Sequence, residues 1–217
     1  MIAGRSRSAS AVQWRSKSAS ASSGVMVGSL LDAAAELARR GVSPSIAQVA
    51  DAANISHATA YRYFPNTQSL WTDVAVGRTS VEHITADLPD DVGDRVELVI
   101  RRITHMQFAD EALWREALRA SQDRWLAQQD LDAAEQVPVR GTNRLKSLTI
   151  AVAPLQNRMD AAALERLTQA LMFLCGVEAL VVARDALDLD EVATADVMCW
   201  SARSLIRTAV EQSAEVN

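Results

Sequence analysis

From residue 29 onward, apolar residues recur at steps of three and four, the spacing of one face of a helix. Leu30, Leu31, Ala34, Leu37 and Ala38 make the stripe of a first helix over 29–40, which Ser29 caps and Gly41 stops. Ile46, Val49 and Ala50 make a smaller face on a second helix. Pro44 lies just outside its start, Ser45 is its N-cap, and Gln48 completes a capping box. Asn54 falls at the break, and asparagine tolerates the left-handed backbone that ends a helix and turns the chain sharply. Ser56 then caps a third helix that runs to about residue 64 and is stopped by Pro65. Two helices, a tight turn and a second helix carrying His57, Thr59, Tyr61 and Arg62 have the form of a helix-turn-helix.

The pattern continues to the C-terminus. Asn66 caps a fourth helix over about 67–87, with Leu70, Trp71, Val74, Val81 and Leu88 on its apolar side. Val92, Val96, Val99, Ile103 and Met106 mark an amphipathic helix, and Trp114, Leu118, Ser121 and Trp125 share a face of the next. After a broken stretch over 130–141, helices are predicted at about 142–153, 160–187 and 190–213. The stripe of the first long one is Leu164, Leu167, Leu171, Leu174, Val177 and Val181; that of the last includes Val197, Met198, Trp200, Leu205, Ile206 and Val210. The chain is therefore expected to be all-α, a three-helix helix-turn-helix head at 25–76 followed by a helical bundle at 77–217.

Composition sharpens this. Of 217 residues, 49% are apolar, enough for a substantial core, and five prolines and eight glycines are few. No apolar run of about 18 residues lacks a charge, so no membrane partner is expected. Cys175 and Cys199 lie on apolar faces and read as buried thiols of a reducing compartment, here the cytoplasm. His57, His83 and His105 are scattered, with neither metal spacing nor a nucleophile motif, so the reading includes no catalytic residue, metal or cofactor.

The order of residues in the head is more specific than its pattern. Val49-Ala50-x-x-Ala53-Asn54-Ile55-Ser56-x-x-Thr59-x-Tyr61-x-Tyr63-Phe64, then Asn66-x-x-x-Leu70, resembles the DNA-binding segment of the TetR family of bacterial transcriptional regulators. The resemblance spans roughly residues 29–76. Asn54 stands in place of the usual turn glycine, Thr67 in place of a lysine, and the loop over 41–45 is short. The resemblance implies a DNA-binding regulator, most often a repressor, released from its operator by a small molecule. It also implies that the fourth helix carries movement from the larger domain to the head.

Candidate sites follow. Ala60, Tyr63 and Phe64 should face inward, leaving His57, Ala58, Thr59, Tyr61 and Arg62 toward a DNA groove. His57 and Arg62 have donors for base-edge acceptors, and Ala58 or the Thr59 methyl suits a thymine methyl. By resemblance Tyr61 holds a phosphate, as can Ser45, Asn66 and Thr67. Met106, Phe108, Trp114, Leu118, Trp125, Met172 and Phe173 are candidates for an apolar ligand pocket, with an ordinary core as the plainer alternative. One head reads about half a turn of DNA, so a homodimer with heads about 34–36 Å apart is expected on a palindromic double-stranded operator. Leu167, Leu171, Leu174, Glu178, Val181, Met198, Trp200 and Leu205 are candidates for its four-helix interface, Glu178 as a polar member or a rim charge. Two other readings stay open: a ligand-independent DNA-organising dimer, and an all-α small-molecule-binding protein or enzyme without DNA binding.

Net charge is −5, but it is unevenly spread. Residues 1–24 carry Arg5, Arg7, Arg15 and Lys17, no acid and eight serines, so they hold +4 while the remainder holds −9. This low-complexity stretch is expected to be a disordered basic arm, or a passive extension preceding Met26. An arm on the phosphates predicts that deleting residues 1–24 flattens the dependence of DNA affinity on salt; an unchanged slope marks a passive extension.

Overall fold

The computed structural model describes residues 21–216, and no strand occurs among them. The basic arm thus lies outside the described residues, apart from 21–24, which open the first helix. That helix, α1 (Ala21–Arg39), begins eight residues before the expected cap. Ser29 is an interior residue whose Oγ donates to the Val25 carbonyl at 3.0 Å, a side-chain-to-backbone bond that a mid-helix serine can make. α1 ends where Gly41 takes a positive φ of 74°.

The head forms as its local chemistry dictates. α2 (Ile46–Ala52) carries the full capping box: Gln48 N–H donates to Ser45 Oγ, and Ser45 N–H donates to Gln48 Oε1 at 2.9 Å. Asn54 adopts φ 55°, and Ser56 caps α3 (His57–Tyr63) by accepting from Thr59 N–H. Leu30, Ala34 and Ala38 of α1, Ile46 and Val49 of α2, and Ala60 and Phe64 at α3 close into one core with Leu70, Trp71 and Val74 of α4 (Thr67–Arg78).

α4 is shorter than its stripe. The Thr79 carbonyl accepts from Asn143 Nδ2 at 2.8 Å, and Ser80 then caps a separate single turn, α5 (Val81–Ile84). A side chain 64 positions away thus takes a carbonyl that a continuing helix would use. α6 (Val92–Ala109) and α7 (Glu111–Ala127) are separated at Asp110; no helix occurs over 128–142, and α8 spans Asn143–Val152 before a 3₁₀ turn, Ala153–Asn157.

The predicted long helix over 160–187 is broken. α9 (Ala161–Leu174) ends at Cys175, and α10 (Val177–Val181) starts after Gly176 and runs into a π turn, Val182–Ala186. A Cβ on Gly176 would sit 2.0 Å from Arg144 Nη1, so the break lets an arginine cross close to the backbone. By length and composition the segment Ala161–Ala186, mean hydropathy 1.5, meets the criterion for a membrane span. Its Leu167, Leu171, Cys175, Val177 and Leu180 are nevertheless buried in the protein's own cores. α11 (Glu191–Val216) lies across α6 and α9.

A second core holds Val96, Val99, Ile100 and Ile103 of α6, Leu148 and Val152 of α8, Leu167 and Leu171 of α9, and Met198 and Ala202 of α11. Its helix ends are tied by guanidinium groups. Arg95 donates to the carbonyls of Pro89, Ile150 and Ala151, and Arg102 to those of Ile84 and Ala86. Both cysteines are free and buried here, and burial pushes each thiol up to about 11, so they stay protonated at neutral pH. The two cores do not divide at residue 76: Leu113 and Trp114 of α7 and Val177 and Leu180 of α10 belong to the core of the head.

Asn54 gives the fold a direct test. Asn54→Gly should leave stability near wild type, whereas Asn54→Val should cost about 1–2 kcal/mol in chemical denaturation, because a β-branched side chain clashes in the left-handed region.

Candidate functional site: nucleic-acid interface and inner cavity

α3 presents one face to the core and one to solvent. Ala60 and Phe64 are buried and Tyr63 half-buried, so the inward side is the expected one. His57, Ala58, Tyr61 and Arg62 are exposed and Thr59 half-exposed, all on the opposite side of the rod. The exposed side chains are not all idle. His57 Nε2 lies 2.8 Å from Asp51 Oδ1, which ties the start of α3 to α2 and occupies one of the two ring nitrogens. Ser56 Oγ donates to Thr59 Oγ1 at 2.8 Å. The Arg62 guanidinium stands 5.2 Å from the centre of the Tyr63 ring, a cation–π stack that supports it from one side.

Flanking polar residues serve as caps. Ser45 is exposed at the start of α2 with its hydroxyl in the capping box. Asn66 Oδ1 accepts from Ser69 N–H at 2.8 Å, and Thr67 is half-buried in the first turn of α4. Arg39 and Arg40 both pair with Glu36, and Arg39 also reaches Asp110, which joins α1 to α7. Arg62 is thus the cation carried by the exposed α3 itself.

A second site lies where the two cores meet, a cavity of about 110 Å³. Trp71, Thr72 and Ala75 of α4, Thr79, Ile84 of α5, Ile103, Met106 and Gln107 of α6, and Trp114, Ala117 and Ser121 of α7 line it, with Val139, Arg140, Gly141, Asn143, Arg144 and Val177 completing the wall. Of the expected pocket residues, Met106 and Trp114 are there, with Trp114 Nε1 donating to the Met106 carbonyl at 3.0 Å. The other five are not. Phe108 and Leu118 pack against the core of the head, and Arg184 lies 5.7 Å from the Phe108 ring. Trp125 is 55% exposed, near the C-terminal end of α7. Met172 and Phe173 border an open outer groove, Phe173 being 86% exposed. Residues sharing a helical stripe reach one cavity only if the helix stays covered along its length, and α7 and α9 do not.

Trp71, Gln107, Asn143, Arg140 and Arg144 were not singled out as pocket residues. For Trp71 the signal was its place on the apolar side of α4; for the two arginines, at the end of an irregular stretch, the sequence carries none. Arg140 is ion-paired with Glu178, and Arg144 Nη1 lies 3.9 Å from the same carboxylate. Burial and the neighbouring Arg144 charge hold the Arg140 guanidinium below its ordinary value.

The expected interface splits by burial. Leu167, Leu171 and Met198 are buried in the second core and do not reach the outside; Leu174, Val181 and Leu205 are half-buried. Glu178 is an exposed partner of Arg140. Trp200 is 72% exposed, and Val197, three residues before it, lies on the same face. The outward face is rotated by about one residue from the one the stripe indicates, because Met198, Cys199 and Ala202 are the residues that face α6 and α9.

The head has the helix-turn-helix form and is followed by a helical body. Residues 30–74 match the profile of the family described as bacterial regulatory proteins, tetR family. The match covers the helix-turn-helix head, and it is over that part that the chain is similar to the family. The likeness in fold extends beyond the head. A TetR transcriptional regulator from Rhodococcus sp. RHA1 superposes with a TM-score of 0.57 at 19% identity, over 85% of this chain and 98% of the other. NalD of Pseudomonas aeruginosa, the secondary repressor of the MexAB-OprM multidrug efflux pump, superposes with a TM-score of 0.53 at 20% identity, over 86% of this chain and 96% of the other. No curated protein matches the chain significantly.

Proposed function

We propose that the chain is a cytoplasmic repressor that binds a palindromic operator as a homodimer and is released by a small effector in the inner cavity. The position of that cavity carries the reading. It is walled on one side by Trp71, Thr72 and Ala75, which stand on the helix following α3, and on the other by Ile84 and Ile103 of the second core. A molecule that fills it presses on α4, and α4 bears on the head through Leu70, Trp71 and Val74. A ligand that prefers one arrangement of α4 shifts the spacing of two heads, and coupling of about 1–3 kcal/mol suffices for release. The cavity also favours this reading over a ligand-independent DNA-organising dimer, for which a filled core is expected.

In this reading Tyr61, Ser45, Asn66 and Thr67 hold phosphates, and Arg62 reads a base edge with His57, Ala58 and Thr59 beside it. The basic arm adds phosphate contacts. Dimerisation uses the outer face of α9 and α11, with Val197, Trp200 and Phe173 at its apolar centre.

Selection of bound sequences from a random DNA pool tests the whole scheme: a palindrome with half-sites about one helical turn apart is the expected product. On the selected site, Arg62→Ala should cost about 1–3 kcal/mol and relax preference at one position per half-site; a uniform loss over all sequences assigns Arg62 to the backbone. Trp200→Glu should yield a folded monomer by sedimentation, with operator affinity reduced at least tenfold. A Trp200→Glu dimer as tight as wild type overturns the assigned interface.

A further inference from the structure

We propose that the inner cavity takes a small monocarboxylic acid with an aromatic or branched apolar body, whose carboxylate displaces Glu178 from Arg140 and Arg144. This rests on the reading of the cavity as an effector site and adds the chemistry of the ligand.

The cavity is two-sided in character. Trp71, Ile84, Ile103, Met106, Trp114 and Val177 give it an apolar body. Its charged members are Arg140 and Arg144, four positions apart in the chain, and no acid is among the lining residues. The one carboxylate near them, Glu178, comes from outside the lining and serves both guanidiniums. Two positive groups therefore share one negative partner, and the site keeps a net positive charge.

Two buried donors point to the same class of molecule. Trp71 Nε1–H and Arg144 Nε–H are both buried and have no hydrogen-bond acceptor in the protein. A buried donor left unpaired is destabilising, so a ligand rich in acceptors gains by entering. A carboxylate has about four acceptor positions and matches the planar fork of a guanidinium. A neutral amide satisfies fewer donors and brings donors of its own, and a cation is repelled. Glu178 can yield its place at low cost, because its side chain is 55% exposed and regains water on leaving.

Calorimetric titration of the full chain tests this with matched probes: benzoate, phenylacetate, 1-naphthoate and isovalerate, each against its primary amide, with benzylamine as the cation. At least one acid should bind at least tenfold more tightly than its own amide, and benzylamine should not bind. Glu178→Gln removes the competing carboxylate, so it should tighten that acid several-fold and leave the amide unchanged. Arg140→Gln and Arg144→Gln, checked for wild-type thermal unfolding, should bring the acid-to-amide ratio close to one. Amides that bind as tightly as their acids, or a Glu178→Gln chain that binds the acid more weakly, overturn the proposed ligand class while leaving an effector site standing. No binding by any probe, acid or amide, overturns the effector reading with it.

Discussion

Burial of Trp71 is the constraint on which the arrangement depends. The residue is wholly inaccessible, on the helix immediately after α3, and it packs in the core that also holds Trp114 and Leu113 of α7. Fully burying an aromatic side chain of this size contributes roughly 2–3 kcal/mol or more. That stabilisation is available only while α4 lies against α7. The head is therefore not a bead on a tether. Its core is completed by residues from α7 and α10, and the Arg39–Asp110 and Arg124–Gln68 contacts hold the same junction from the outside.

This makes the junction a natural place for control. The cavity adjoins Trp71, although Trp71 itself is wholly buried. The break at Gly176 belongs to the same region. It ends α9, admits Arg144 against the backbone, and starts α10 with Val177 in the cavity wall. The polar cluster of Arg140, Arg144 and Glu178 is thus built by the interruption of a helix.

The exposed side of the head is modest in charge. Serine, asparagine and threonine hydroxyls and amides around α3 satisfy caps within the fold, and Asp51 engages His57. Arg39 and Arg40 are committed to Glu36. With an acidic body and Arg62 as the cation on the exposed face of α3, the salt dependence of DNA affinity is informative for this chain.

Local chemistry was legible in the residues alone. The caps at Ser45 and Ser56, the turn at Asn54, the stop at Gly41, the three-helix head and the amphipathic α6 each depend on contacts within a few positions, so their residues announce them. The long C-terminal helices were legible as apolar stripes but not in their extent or phase. α4 stops because Asn143 takes the Thr79 carbonyl, and α9 stops where Arg144 crosses Gly176. The outward side of α11 carries Trp200 because Met198 and Cys199 meet α6 and α9. The cavity joins Trp71 to Arg140, residues 69 positions apart that no periodicity connects. Sequence by itself determined the helical class and the helix-turn-helix head, since backbone preference and capping act at short range. Tertiary structure alone decided where helices break, which faces remain outside and which residues line the cavity, since those depend on which distant side chain meets a carbonyl, a glycine or a charge.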